Sequence, residues 1–503
     1  MKGGPGRKPF ELKDFSGGQI TKSPPKNIDP RYSIDCLNVY SEGAMLRRRD
    51  GIAVVNGTAT TGAGHGVYNW VRGSDTTAQW LMTAWASSIF KTDVVAGAWD
   101  GILDPITADA ASGTAFTTAG GFTYFSNYNG VLIFSNEGRQ HIQRMTISEN
   151  SYFNIETGGT GTAPFAKFVL NWKNHLWFMN CQGSEDTVVH SAVNSYNNFT
   201  GSTYGSNNLL TENDIGINGG FILNGRLFAV KAFSLHRFTY TGSPSPLVEI
   251  KIIKSTMGSS SPRTIKNVNT PDGEAVLFLG TNRKLYICDG QDIMDISDSI
   301  DISNGLSSVY MQAINANALN NCFAVVHEDL NWYELFLCIG TGTGDTPTVS
   351  IVYDYKTKAF WPMGSRNFLS GMVSDNGAGK RRVYVQGTSN GKLYLTHSGN
   401  SDDGAAIDYR WTSEKMGQSV ILQRFDELEI ETDSVSCRPT FSWRADWETT
   451  WTDKTMIANT NSNNFDPGRI DNMIQFKISG SDTSNSFKLW TIVGNERAIG
   501  GGK

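Results

Sequence analysis

A short pattern recurs seven times along the middle of this 503-residue chain, and it constrains the fold more than any other feature. Each copy has a turn residue, most often Asn, followed within a few positions by an apolar anchor and an aromatic residue. The anchors are Ile89, Leu132, Leu176, Leu227, Leu285, Leu335 and Leu393. Their spacing is loose, at roughly 50 residues, which is the range of structural repeats.

Most copies also have an apolar stretch just before the turn, as in residues 121–125 and 220–223. A strand, an Asn-Gly type of turn and a second strand form a β-hairpin, because Asn and Gly tolerate the positive φ angles of tight turns. Small antiparallel sheets of this size cannot bury both faces alone, whereas radial stacking buries them against their neighbours. The repeat therefore predicts an all-β fold with a β-propeller of six to seven blades.

The composition agrees with many short strands joined by tight turns. The chain has 53 Gly, only 15 Pro, 11% aromatic residues and 18% charged residues. These values exclude a disordered chain, collagen and a coiled coil. No apolar run approaches the roughly 20 residues of a membrane-spanning helix. The net charge of −5 argues against a sequence-specific DNA-binding protein.

Both ends of the chain depart from the repeat. Residues 1–58 contain Gly and Pro pairs and little periodicity, so we predict an extended N-terminal arm. Residues 59–403 would form the propeller. Residues 404–503 have longer alternating stretches, typical of a β-sandwich-like module. An arm of this kind predicts that deleting residues 1–30 spares the fold.

The motifs of common catalytic sites are missing from the sequence. No Gly-x-Ser-x-Gly elbow occurs, and no two histidines have the i, i+4 spacing of a zinc helix. We therefore expect no enzymatic activity, no cofactor and no metal. The histidines lie at His65, His141, His175, His190, His236, His327 and His397. A folded site could still collect some of them.

Three other features have a functional and a structural interpretation. Carboxylates at Asp289, Asp292, Asp295, Asp298 and Asp301 suit either a cation-binding loop or a charged strand edge. The six cysteines, without a C-x-x-C pair, are expected to be buried free thiols. The basic run Arg47-Arg48-Arg49 suits contact with nucleic acid or an acidic partner, or else a charged strand end.

Segments near both ends resemble one protein family. Residues 15–18, 33–40 and 42–51 resemble the start of many structural proteins of tailed phages, although Asp50 stands where a proline is common. Residues 409–413 and 423–430 are similar to the C-terminal part of the same proteins. The family is the propeller-type tail hub of short-tailed phages, which includes nozzle proteins and packaged-DNA-stabilisation proteins.

The resemblance implies a structural role in the virion tail, for a protein made in the host cytoplasm. It implies a homo-oligomeric ring, expected to be a hexamer, below the portal and adaptor, with non-specific contact to DNA in its channel. The ring would seal the packaged genome and pass it at ejection. We expect the intermolecular interface to include Phe15, Pro24, Pro25, Arg47, Arg48 and Arg49. The alternative is a propeller that binds or degrades glycans as a receptor-recognition component of the tail.

Overall fold

The prediction of an all-β fold is confirmed. The computed structural model describes residues 7–20, 28–71, 79–86, 88–95, 98–99, 101–116, 121–146, 148, 150–211, 216–299, 310–342, 344–375, 381–417, 423–433, 438–457 and 460–498. These residues form 43 strands and one α-helical turn, Ile296–Ser299. Short 3-10 helices span Pro262–Thr264, Ala316–Asn321 and Glu328–Leu330. Within the described residues, no helix has the length and hydrophobicity needed to cross a lipid bilayer.

The N-terminal segment contributes seven short strands. They are β1 (Arg7–Leu12), β2 (Gly18–Gln19), β3 (Tyr32–Ser33), β4 (Asp35–Leu37), β5 (Val39–Glu42), β6 (Met45–Arg48) and β7 (Ile52–Val54). Among the described strands, β2 and β3 form a separate two-stranded parallel sheet. The others join sheets built from distant parts of the chain.

Seven successive antiparallel sheets follow, each named here by its order in the chain. Sheet one has β8 (Gly64–Val71), β9 (Gln79–Trp85), β10 (Ser88–Val95), β11 (Ala98–Trp99) and β12 (Asp104–Ala108). Sheet two has β13 (Thr123–Tyr128), β14 (Val131–Asn136), β15 (Gln143–Met145) and β16 (Ser151–Asn154). Sheet three has β17 (Ala166–Trp172), β18 (His175–Cys181), β19 (Ser184–His190) and β20 (Gly205–Asn208). Sheet four has β21 (Ile217–Leu223), β22 (Arg226–Lys231), β23 (Leu235–Tyr240) and β24 (Val248–Lys254).

The remaining three sheets complete the series. Sheet five has β25 (Lys266–Thr270), β26 (Gly273–Leu279), β27 (Leu285–Cys288) and β28 (Ile293–Asp295). Sheet six has β29 (Phe323–His327), β30 (Trp332–Leu337), β31 (Val349–Asp354) and β32 (Ala359–Met363). Sheet seven has β33 (Phe368–Asp375), β34 (Arg381–Gly387) and β35 (Leu393–Thr396), with β7 as its fourth strand. Sheets one and two are joined by a short parallel pairing of β12 with β16.

The seven sheets bury their faces against one another. The first strand of each sheet contacts the first strand of the next, and β33 of sheet seven contacts β8 of sheet one. Seven apolar clusters fill the spaces between successive sheets, and one of these clusters lies between sheets seven and one. In that last cluster, Tyr384 and Leu393 of sheet seven pack with Leu81 and Trp85 of sheet one.

The predicted hairpin turns explain why the repeat is loose. Asn129-Gly130 and Asn224-Gly225 connect the first two strands of their sheets. Asn282-Arg283 and Asn390-Gly391 instead connect the second and third strands. Because the same turn signature occupies two different positions within a sheet, its spacing varies although the sheets succeed one another regularly.

The C-terminal segment forms two further sheets. Its strands are β36 (Ile407–Gly417), β37 (Gln423–Thr432), β38 (Thr440–Ala445), β39 (Thr452–Thr455), β40 (Ser462–Phe465), β41 (Arg469–Asp471), β42 (Met473–Asp482) and β43 (Lys488–Ala498). A five-stranded sheet has the order β39-β38-β42-β36-β4. A seven-stranded sheet has the order β40-β37-β43-β6-β5. In addition, β1 pairs with β43 and β41 pairs with β37. We call these two sheets the two-sheet unit.

This pairing corrects the prediction of a separate N-terminal arm over residues 1–58. Strand β1 pairs with β43, β4 with β36, and β6 with β43, so the described N-terminal residues are part of the two-sheet unit. Strand β7 belongs to sheet seven. The boundary predicted at 58/59 therefore does not separate structural units, whereas the one at 403/404 lies between β35 of sheet seven, which ends at Thr396, and the strand β36, which begins at Ile407. The physical reason is that the C-terminal strands leave hydrogen-bonding edges and apolar faces that the N-terminal strands cover.

One apolar cluster fills the two-sheet unit and extends into sheet six. It combines Leu12 and Phe15 with Phe425 of the seven-stranded sheet and Phe476 of the five-stranded sheet. Trp361 of sheet six belongs to the same cluster. The two-sheet unit is thus attached to the seven-sheet body through a shared core.

Candidate functional sites

Two arginines of the predicted interface are internal. Arg48 and Arg49 are both 0% exposed. The Arg48 guanidinium donates to the carbonyl oxygens of Asp482, 2.8 Å away, and Asn400, 3.1 Å away. Arg49 forms an ion pair with Asp402. The structure therefore corrects the prediction that these two side chains contact a partner, since their donors hold the chain's own distant segments together.

The other predicted interface residues differ in their exposure. Phe15 is fully buried and lies edge-on against Trp411, with ring centroids 5.2 Å apart. Its assignment to an intermolecular interface is thus also corrected. Arg47 is partly exposed and pairs with Asp50, 2.7 Å from Nη2, which suits the charged strand end. The predicted interface residues Pro24 and Pro25 lie outside the described residues.

Large apolar side chains are exposed on the two-sheet unit. Trp447, after β38, is 73% exposed and Trp490, in β43, is 51% exposed. Ile457, after β39, and Ile470, in β41, are also more than half exposed. Exposed tryptophans are enriched at protein–protein interfaces because burial of a large ring on association is strongly favourable. These four side chains, which come from both sheets of the unit, are candidate assembly contacts that the sequence analysis missed.

A cavity of about 340 Å³ lies where the first strands of several sheets meet. It is lined from β8, β13, β25, β29 and β33, together with the 3-10 turn before β25. We call it the central cavity. Its polar lining includes His65, Thr123, Arg263 and Lys266, and none of the described lining residues is Asp or Glu.

Arg263 anchors one wall of the central cavity. Its guanidinium donates to the carbonyl oxygens of Asn320, 3.1 Å away, and Asn321, 2.8 Å away. It also donates to the carbonyl oxygen of Leu369. The guanidinium carbon lies 3.2 Å from the ring centroid of Phe122, in cation–π geometry. Arg263 is therefore fixed in place by main-chain acceptors from the 3-10 helix before sheet six and from sheet seven.

A carboxylate next to the cavity is already neutralised. Glu137 accepts hydrogen bonds from Asn320 at 3.0 Å and from the Tyr124 hydroxyl at 3.0 Å, and it pairs with Lys167 at 3.0 Å. Burial by itself would raise the pKa of Glu137, but Lys167, Asn320 and Arg263 lower it overall. Because Lys167 balances Glu137, the charges of Arg263 and Lys266 leave the surroundings of the cavity cationic.

Two histidines and a glutamate meet between sheets six and seven. The ligand-type atoms of His327, Glu334 and His397 lie within 4.8 Å of one another. The His327 Nε2 atom is 3.1 Å from one oxygen of Glu334. The Ser350 hydroxyl donates to the other oxygen at 2.6 Å, and Arg366 Nε lies 3.5 Å from it. A cavity of about 430 Å³, lined by His327 and His397, adjoins this cluster.

This cluster acts electrostatically as an internal ion network. Burial raises the pKa of Glu334, but Arg366 and His327 together hold that pKa well below its usual range. Burial and the neighbouring His327 lower the pKa of His397 well below its usual range. Histidine and carboxylate ligands also occur in zinc sites. Here both Glu334 oxygens already have protein partners, so the geometry suits a structural network.

The sequence alone could not identify this cluster. Glu334 and His397 are separated by more than sixty positions, and only the packing of sheet six on sheet seven brings them together. The available signal was weak: Glu334 occupies an interior position of the otherwise apolar strand β30. A charged residue fully buried in a strand requires partners from neighbouring elements.

The predicted cluster of carboxylates is dispersed among separate partners. Asp289 accepts from the backbone amides of Gln291 and Asp292 within its own turn. Asp292 pairs with Lys254, and Asp295 pairs with Lys284. The side chain of Asp298 and all of Asp301 lie outside what the structure describes. The three described carboxylates match the interpretation of a charged strand edge.

The cysteines match the prediction of buried free thiols where they are described. Cys36, Cys181, Cys288, Cys322 and Cys338 are free and buried. Cys437 lies outside the described residues. Burial raises the pKa of the Cys181 thiol to about 12, which makes it unreactive at neutral pH.

Comparisons with known proteins show no family. No family model and no curated protein matches the chain. Among solved structures, the extracellular domain of a hybrid two-component system from B. thetaiotaomicron is similar at 11% identity, with a TM-score of 0.44. That match covers 87% of this chain and 58% of that domain, so this chain spans less than two thirds of its length.

Two further structures are also similar over most of this chain. The Neurospora crassa Pan2 WD40 domain matches at 10% identity and a TM-score of 0.38, covering 69% of this chain and 94% of that domain. An exo-β-1,3-galactanase from Phanerochaete chrysosporium matches at 10% identity and a TM-score of 0.28, covering 88% of this chain and 100% of the enzyme. With TM-scores below 0.5, none of these three similarities bears on the function of this chain.

Proposed function

We propose that this chain is a structural protein of a bacteriophage tail, of the hub or nozzle type. In this proposal several copies form a ring around the DNA channel, which seals the packaged genome and passes it at ejection. The seven sheets are the blades of a β-propeller, and the two-sheet unit is a β-sandwich that contacts neighbouring copies and other tail proteins.

The observation that carries the proposal is the meeting of the two phage-like segments in one unit. Residues 33–51 supply β4, β5 and β6, and residues 409–430 supply parts of β36 and β37. Although they are far apart in sequence, these strands join the same two sheets, β4 beside β36 and β6 in the sheet of β37. The resemblance therefore concerns one assembled unit and not two unrelated motifs.

The packing of the seven sheets supports a propeller with seven blades. Each of seven apolar clusters lies between two successive sheets, and the last lies between sheets seven and one. The N-terminal strand β7 supplies the fourth strand of sheet seven, so one blade combines both ends of the repeat array. This closure ties the first blade to the last and gives a rigid body that suits a component of a pressurised particle.

The central cavity favours a DNA channel outside the single chain. A volume of about 340 Å³ accommodates a small molecule and not a duplex. In this proposal DNA passes along the axis of the ring of copies. The net charge of −5 suits a conduit, because a strongly basic wall would retain DNA through many phosphate contacts.

The exposed tryptophans supply the first assembly experiment. Native mass spectrometry and negative-stain microscopy of the purified protein are expected to reveal closed rings, and hexamers in particular. We expect the double substitution Trp447→Ala and Trp490→Ala to shift rings toward monomers, because it removes apolar area at the proposed contact. Leu210→Ala is the matched control, since Leu210 is 74% exposed but lies outside the two-sheet unit.

Two results would overturn the proposal. One is a wild-type protein that stays monomeric at every concentration tested. The other is the absence of the chain from purified virions of the phage that encodes it, as measured by peptide mass spectrometry. If the wild-type protein forms rings and the double tryptophan variant forms them equally well, the proposed ring remains but its contacts lie elsewhere.

A further inference from the structure

The central cavity presents hydrogen-bond donors that lack partners in the protein. Among the described residues, His65 Nδ1, Thr123 Oγ1 and Arg263 Nε are buried without a hydrogen-bond partner. Lys266, which lines the same cavity, makes no hydrogen bond or ion pair with the described residues. Buried polar groups normally have partners, because an unsatisfied one costs about 1–3 kcal/mol. Three such groups around one cavity, next to the ammonium of Lys266, indicate that something else satisfies them.

The positive charge around the cavity indicates that the missing partner is an anion. Lys266 is an ammonium group next to the Arg263 guanidinium, and burial together with Arg263 lowers its pKa to about 8. Glu137, the carboxylate that interacts with Arg263 and His65, is already paired with Lys167. Burial lowers the pKa of His65, so its imidazole is neutral at pH 7. An anion would therefore neutralise an excess of positive charge and accept the free hydrogen bonds.

The apolar lining limits what else the ligand contains. Tyr68 and Phe125 stack with ring centroids 5.7 Å apart and planes at 15°, and both line the cavity. Gly66 and Gly371 line it as well, at positions where a Cβ would come within 3 Å of atoms of Thr123 and Val385, so the main chain packs closely there. A volume of about 340 Å³ is at the small end of ligand sites. The cavity thus fits a compact molecule with one anionic group and a small body.

We propose that the central cavity binds a small oxyanion, either a phosphate or the carboxylate of an acidic monosaccharide. Lys266 supplies a charge-assisted hydrogen bond to the oxyanion, and Thr123 and His65 donate to the same molecule. This inference does not depend on the proposed role in a phage tail, because it rests on the lining of one chain.

Isothermal titration calorimetry with the full chain tests the proposal. The probes are inorganic phosphate, glucuronate and, as a neutral sugar, glucose. We expect phosphate or glucuronate to bind and glucose not to bind. The anion that binds distinguishes the two sources of the oxyanion. Lys266→Met is expected to weaken binding at least tenfold, because a charge-assisted hydrogen bond is lost.

Two variants keep this test interpretable. Lys251→Met is the matched control, since Lys251 is an exposed lysine of β24, and we expect it to bind like wild type. If Lys266→Met does not fold, Thr123→Val removes a single donor and should weaken binding by roughly three- to tenfold. The proposal is overturned if neither anion binds, if glucose binds equally well, or if the folded Lys266→Met protein binds anions like wild type.

Discussion

Arg49 and Asp402 form a bidentate ion pair that joins the N-terminal segment to the chain just after sheet seven. Arg49 Nη1 lies 2.7 Å from Asp402 Oδ1, and Nη2 reaches Oδ2. The remaining donors of Arg49 are also used, by Asn38 Oδ1 at 2.7 Å and by the carbonyl oxygens of Asp50 and Gly364. The guanidinium therefore connects the two-sheet unit with the end of the repeat array.

Replacing Arg49 tests this connection. We expect Arg49→Met to destabilise the fold by about 3–5 kcal/mol, because it leaves Asp402 without its buried partner. Arg31→Met, which removes an exposed pair with Asp29, should change stability by less than about 1 kcal/mol. Denaturant unfolding of both variants measures the difference. An Arg49→Met protein with wild-type stability and defective rings would restore the original assignment of Arg49 to an interface.

Removing the N-terminal residues distinguishes an arm from a structural strand. We now expect deletion of residues 1–20 to destabilise the two-sheet unit, because β1 pairs with β43 and Leu12 and Phe15 are core residues. Deletion of residues 1–6 is the control. A lower melting temperature for the longer deletion only is the expected result. Equal melting of both proteins would mean that β1 contributes nothing to the fold.

Two turn glycines with positive φ should differ in their tolerance of alanine. Gly391 has φ +63°, and a Cβ there would lie 1.8 Å from the carbonyl oxygen of Thr60. Gly225 has φ +70°, and a Cβ there would meet nothing within 4 Å. We expect Gly225→Ala to cost about 1 kcal/mol from backbone strain and Gly391→Ala clearly more. Similar unfolding free energies for the two variants would show that the close approach to Thr60 is wrong.

His397 should make the protein sensitive to mild acid. Its pKa in the folded chain is far below the usual 6.5. Below pH 6.5, His397 therefore binds a proton in the unfolded chain but not in the folded chain. The groups facing it are His327, Glu334, Arg366 and Arg49. Between pH 7 and pH 5 we expect the free energy of unfolding to fall by about 2 kcal/mol more for wild type than for His397→Gln.

Urea unfolding at several pH values measures this difference. The control is His141→Gln, because the His141 side chain is 36% exposed and contacts Glu156 at the surface. His141→Gln should follow the wild-type pH dependence more closely than His397→Gln does. Parallel curves for wild type and His397→Gln would contradict the prediction.

Lys266 should affect stability in the alkaline range, and as with His397 the free energy of unfolding should increase as pH increases. The pKa of Lys266 is about 8 in the folded chain and 10.5 in the reference state, so the unfolded chain binds more protons between these values. Stability therefore rises as pH increases from 7 to 10, by up to about 2.5 kcal/mol. Comparison with Lys266→Met isolates this contribution. A difference between the two proteins that does not vary with pH would mean that Lys266 is not desolvated.

The sequence by itself determined the local elements of the repeat. The turn residues at 129–130 and 224–225 specify hairpins, because Asn and Gly accept the backbone angles that tight turns require. The alternating stretches near residues 427–431 and 474–478 likewise lie within strands β37 and β42. These features depend on neighbouring residues only, which is why a single sequence was sufficient.

The tertiary structure decided everything that depends on distant partners. Arg48 and Arg49 look like a surface charge run in sequence, but their acceptors come from residues 400–402 and 482. The same is true of the His327, Glu334 and His397 cluster and of the donors around the central cavity. A buried charge is stable only where the fold supplies a counter-charge or acceptors, and no local pattern records which segments will pack together.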